Sequence, residues 1–126
     1  MKIRIAAIAL TLLFTIDAVA HHSEAAFDQD QIVSVSGTVK EYLWVNPHVR
    51  IYLEVSDARG RSDVTVFQGG PPVDMERRVW SRDSVKAGDK LTITYHPRRD
   101  KKPGGMLVTA TLANGKVLGW QSATMP

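Results

Sequence analysis

The chain has 126 residues, with 16 Lys+Arg against 13 Asp+Glu, a formal net charge of +3 and no cysteine. That length supports one small domain. The missing thiols exclude disulfide staples, thiolate metal sites and thiol redox chemistry, and the near-balanced charge is not the footprint of a nucleic-acid binder.

The first 20 residues read as an export signal. Lys2 and Arg4 form a positive start, Ile5 to Ile16 is an apolar run interrupted by threonine, and Ala18-Val19-Ala20 supplies the small residues that signal peptidase reads. The run is well short of the roughly 20 apolar residues that span a bilayer. No membrane span is therefore expected once the signal is cut, and the mature chain is expected to begin at His21 in the periplasm or outside the cell. Removing Lys2, Arg4 and Asp17 leaves 14 basic and 12 acidic residues.

Residues 21–31 read as an irregular arm, acidic at Glu24, Asp28 and Asp30, with Phe27 as its one large apolar anchor. The domain itself is expected over 32–120, with 121–126 as a loose tail. Ile32 to Val45 reads as the first strand. Val33, Val35, Val39, Leu43 and Val45 share one face at period two, and Lys40 and Tyr42 point the other way. Gly37 lies on the apolar face and predicts a bend or bulge. Asn46-Pro47-His48 predicts a turn.

Val49 to Ser56 alternates cleanly, with Val49, Ile51, Leu53 and Val55 inward and Arg50, Tyr52, Glu54 and Ser56 outward. Asp57-Ala58-Arg59-Gly60 predicts a hairpin connection. Val64 to Gln68 is the third strand, stopped by Gly69-Gly70-Pro71-Pro72. A short helix is predicted over Pro72–Trp80, opened by proline, with Val73, Arg77 and Trp80 near one face. Leu91 to His96 is the fourth strand. The basic segment Arg98-Arg99-Asp100-Lys101-Lys102 then reads as a solvated loop. Met106 to Ala113 is the fifth strand, and Asn114-Gly115 turns it into Lys116–Trp120, the strongest hairpin signal in the chain.

This order predicts an all-β fold, a small five- to six-stranded OB-like barrel with one short helix between the third and fourth strands. An open sandwich with a crossover helix is the alternative.

The set His21-His22-Ser23, Gly37-Thr38-Val39, Trp44-Val45-Asn46-Pro47-His48 and Trp80-Ser81-Arg82-Asp83-Ser84-Val85-Lys86-Ala87-Gly88-Asp89 resembles a family of small exported bacterial proteins known only as a domain of unknown function. The resemblance implies a single secreted β-rich domain beginning with paired histidines. It implies no activity for any residue.

Candidate chemistry rests on four histidines: His21, His22, His48 and His96. Imidazole is a common ligand for copper, nickel and zinc. A terminal His21 would offer its ring and its own amine, whose reference pKa of about 7.7–8.0 lets a metal displace the proton at little cost. That pairing resembles the ligand set of the histidine brace in exported copper proteins. In an OB barrel the turn carrying His48 and the loop beside His96 lie at the same end, where such barrels bind ligands. The arm would have to fold back to bring His21 there.

The expected function is therefore a binding module for a copper-class ion, using His21 and His48 with His22 or His96 as a third ligand. One rival is an interaction module, docking a periplasmic protein or an anionic glycan on Trp44, Tyr52 and the loop residues Arg98, Arg99, Lys101 and Lys102. A copper-dependent oxidoreductase is the other. No nucleophile triad and no calcium-loop pattern is legible.

Overall fold

A computed structural model describes residues 24–121. The signal reading over 1–20, His21 and His22 and most of the expected tail lie outside the described residues. Six strands follow in order: β1 (Val33–Leu43), β2 (Arg50–Ser56), β3 (Ser62–Gln68), β4 (Lys90–Pro97), β5 (Gly105–Leu112) and β6 (Val117–Gly119), with a helix, α1 (Pro72–Glu76), between β3 and β4. They form one sheet in the order β3-β2-β1-β4-β5-β6, and β3 also pairs with β5. That last contact closes the first five strands into a barrel and leaves β6 as an extra strand on β5. The expected OB-like barrel is the fold.

Closure depends on β1, which belongs to both halves of the barrel. Its first part, Val33 to Thr38, pairs antiparallel with β4, and its second part, Thr38 to Leu43, pairs antiparallel with β2. The strand must therefore bend sharply near Gly37. The bend brings Gly37 so close to β2 that a Cβ there would collide with the carbonyl oxygen of Glu54, which explains the glycine. A β-bulge follows between Val39 and Glu41.

The bulge changes which side chains face inward. Val39 is buried, as the period-two reading requires, but the extra residue flips the alternation after it. Tyr42 and Trp44 join the core instead of Leu43 and Val45, and Val45 is exposed. The inward face expected for the end of this strand is thus corrected.

Strand β2 follows the reading closely. Val49, Ile51 and Leu53 are fully buried, and Val55 is partly buried against the core. The hairpin after it is held by Asp57, whose Oδ1 accepts from the backbone N–H groups of Arg59 and Arg61. Phe67, Leu91, Ile93, Leu107 and Ala110 complete the inner layer. The turn at Asn114-Gly115 is present, with Gly115 at φ 86°.

The helix is shorter than expected, ending at Glu76. Its buried anchor is Met75, whereas Val73, read as part of the packed face, is exposed. The chain leaves it through a Schellman turn: Trp80 N–H donates to Met75 O at 3.2 Å and Val79 N–H to Glu76 O at 3.1 Å. Val79 occupies the left-handed position of that turn at φ 63°. Trp80 is thereby carried into the core, where its Nε1–H donates to Gly119 O at 3.0 Å.

Candidate functional site

The arm before β1 is fixed to the loop between β4 and β5. Phe27 is only 5% exposed and forms an isolated antiparallel bridge with Arg98. Asp28 N–H donates to Pro97 O at 2.8 Å, and Arg99 N–H donates to Ala26 O at 2.9 Å. The Arg99 side chain adds a bond from Nε to Ala25 O at 3.2 Å. The arm thus lies at the end of the barrel where the β4–β5 loop emerges.

His96 is one of its anchors. The ring is 8% exposed, and its Nδ1 lies 2.7 Å from the carbonyl oxygen of Gln31. A carbonyl only accepts, so Nδ1 is the donor and the hydrogen sits there. The polar requirement of a buried imidazole is met by the backbone of the arm.

His48 is in a different condition. It sits in the β1–β2 turn, after the cis Asn46–Pro47 peptide. Its Nδ1 is buried and has no hydrogen-bond partner, a state shared among the described residues by Arg50 Nε. A buried polar atom without a partner costs about 1–3 kcal/mol. His48 lies in the turn two residues before Arg50, the first residue of β2.

Arg50, Phe27, Arg98, Lys102 and the β3 residues Val64 and Val66 line one groove of about 390 Å³. It joins the arm, the β4–β5 loop and the outer face of β2 and β3. A larger groove of about 620 Å³ lies against the bend of β1 and is bordered by Ser36, Thr92 and Thr111. Ser36 and Thr92 hydroxyls are bonded to each other there at 2.8 Å.

The basic loop is ordered around Asp100. Its Oδ1 accepts from Arg98 Nε at 2.9 Å and from Lys102 N–H at 3.1 Å, and its Oδ2 accepts from Arg98 NH2 at 2.6 Å. The Arg98 guanidinium, helped by the Lys102 N–H, holds the Asp100 carboxyl well below its ordinary range, at about 2. Arg98 and Lys102 face the groove, Arg99 grips the arm, and Lys101 takes the left-handed turn position at φ 64°.

The structure therefore disperses some of the expected residues and gathers others. Trp44 is buried in the core against Tyr42, at 6.0 Å between ring centroids, so it presents little surface to a partner. Tyr42 donates its hydroxyl to Ser81 O at 3.0 Å, and burial pushes its phenol pKa up. Tyr52 is half-buried on the outer face of β2, opposite Glu41 and Val66. Among the described residues no group of three or more His, Cys, Asp or Glu is placed to hold a metal ion. Sequence reasoning missed Arg50, Gln31, Val64 and Val66. Arg50 was legible only as an outward strand residue, and Gln31 acts through its backbone, which no sequence pattern marks.

Fold and site together define a small OB-like barrel whose open end carries an N-terminal arm, a basic loop and a half-buried histidine. The chain matches the family of unknown function DUF6152 over residues 10–108, and it belongs to that family. No curated protein and no solved structure matches the chain.

Proposed function

We propose that the mature protein is an exported binding module that holds a copper-class ion through the amine and ring of His21 and the ring of His48. The observation that carries this reading is the buried, unpartnered Nδ1 of His48 at the barrel end to which the arm is fixed. His21 to Ser23 span at most roughly 10 Å from Glu24, so the arm's anchorage keeps a processed His21 near the β4–β5 loop. His22 is the further ligand within the same reach. His96 donates its Nδ1–H to Gln31 O, which holds the arm in place and leaves its Nε2 as the alternative third ligand.

The test is to place one glycine before His21 in the exported protein and to measure copper affinity and the paramagnetic resonance spectrum. The ring survives, but the amine leaves its chelating position, and affinity is expected to fall at least about tenfold as one ligand of the chelate is lost. His48→Ala should produce a comparable loss. Equal binding by native, glycine-extended and His48→Ala proteins would mean scattered imidazoles and would sink the reading. Bound copper that consumes oxygen with a reductant would move it from carrier to oxidoreductase.

A further inference from the structure

Strand β3 is paired along its whole length with β2, but with β5 only at Phe67 and Gln68. The barrel is consequently unzipped below Val66 on one side. The direction of the backbone groups follows from the ladder. Asp57 N–H donates to Arg61 O, and in an antiparallel pair bonded residues alternate. The odd-numbered residues of β3 therefore face β2, while Ser62, Val64 and Val66 turn their N–H and C=O groups to the unpaired side. Val64 N–H is already taken by Asp63 Oδ1 at 2.8 Å. Val64 C=O and Val66 N–H are left side by side, as an acceptor and a donor.

One residue of an incoming parallel strand, opposite Thr65, would bond both. It would lie ahead of β5 on the same side of β3, where Pro103 of the β4–β5 loop also lines the groove. This edge forms a wall of the 390 Å³ groove. Val64 and Val66 are 46% and 37% exposed, which is an unusual surface for an edge that folded proteins ordinarily cover or charge. Arg50, Arg98 and Lys102 border the same groove. Its one aromatic lining residue, Phe27, is buried, so the groove has no ring on which a sugar could stack.

We propose that the unpaired edge of β3, with Arg50, Arg98 and Lys102 beside it, docks an extended acidic segment of a partner protein by adding it as a strand. Main-chain bonds to Val64 and Val66 supply the alignment, and pockets beside alternate side chains supply the selection. Apolar residues of the segment cover Val64 and Val66, and its carboxylates meet Arg50 and Lys102, while Arg98 stays paired with Asp100. The site uses none of the residues assigned to the ion, so the two readings stand or fall separately.

The experiment uses the full exported protein and an eight-residue acetylated peptide of alternating valine and glutamate as probe, read by fluorescence anisotropy. The lysine counterpart and a version N-methylated at alternate residues serve as controls. The acidic peptide should bind at least about tenfold more tightly than either control. Lys102→Glu should weaken it by a similar factor. Val66→Pro removes the outward donor and leaves the β2 ladder untouched, so it should abolish tight binding, whereas Val66→Thr should keep it. If Val66→Pro does not fold, the N-methylated peptide carries the same test. Binding that ignores peptide charge, or that survives both N-methylation and Val66→Pro, overturns the proposal. A sulfated oligosaccharide that binds more tightly than the peptide, and equally well to Val66→Pro protein, overturns it too, in favour of a surface anion site.

Discussion

Val79 holds a conformation that side chains branched at Cβ rarely adopt. The left-handed region costs an L-residue roughly 1–2 kcal/mol relative to helix, and Val79 sits there at φ 63° with 77% of its surface exposed. The turn is imposed by its neighbours. Met75 and Trp80 are both buried, and the Trp80 N–H closes on the Met75 carbonyl, so the chain must reverse between them. Val79→Gly should therefore raise the unfolding free energy by about 1 kcal/mol, measured by urea titration. A loss of stability would show that the valine side chain makes contacts its exposure conceals. The residue is valine where the turn favours glycine, so the sequence carried no stop signal there. That is why the sequence pattern predicts a helix as far as Trp80.

At the scale of elements, the strands with one buried face were legible and the ones that change face were not. Val49, Ile51 and Leu53 alternate through β2 without interruption, and each is buried as expected. In β1, Val35 and Val39 obey the same rule, whereas Val33 at the start of the strand is exposed. The bulge after Val39 leaves no mark in the alternation, because Tyr42 and Trp44 are large rings that can be buried as readily as the Leu43 and Val45 on the other face. The charge of the Arg98–Lys102 loop predicts solvation and nothing more. Its order comes from one carboxylate, Asp100, that collects three donors. This has a pH signature. A carboxyl held down to about 2 keeps the loop paired at and above the ordinary carboxyl range, and the pairing is lost as pH falls through about 2. A carbon NMR titration of the Asp100 carboxyl should give that midpoint, and Arg98→Ala should bring it back toward the ordinary aspartate value. An unchanged midpoint in Arg98→Ala would remove the guanidinium as the cause.

At the scale of the whole molecule, the barrel was legible from strand order, but the course of the arm was not. Its contacts are main-chain bonds at Ala26 and Asp28, the Arg99 side chain on Ala25 O, one ring, and Gln31's carbonyl on His96, and only Phe27 among these has a hydrophobic signal. Phe27→Ala should cost roughly 3 kcal/mol locally, in the range of large-to-small changes at buried rings. Hydrogen exchange should then show Asp28 and Arg99 amides losing protection, while Ile51 and Leu53 keep theirs. If those two amides stay protected, the arm is held by its main-chain bonds alone. The same variant should weaken copper binding if the arm positions His21, which links the fold to the proposed function.

The double role of β1 also sets the order of events by which the chain can fold. Val33 finds its partner at Tyr95, and the barrel closes only where Phe67 meets Gly105. A chain delivered N-terminus first can form the β2–β3 hairpin early. Its first strand must then wait half-paired until β4 and β5 arrive. Such non-local pairing places folding in the millisecond-to-second range typical of β barrels. During that interval the inner side chains of β1 and β2 are uncovered, and the molecule is most open to pairing with the wrong chain.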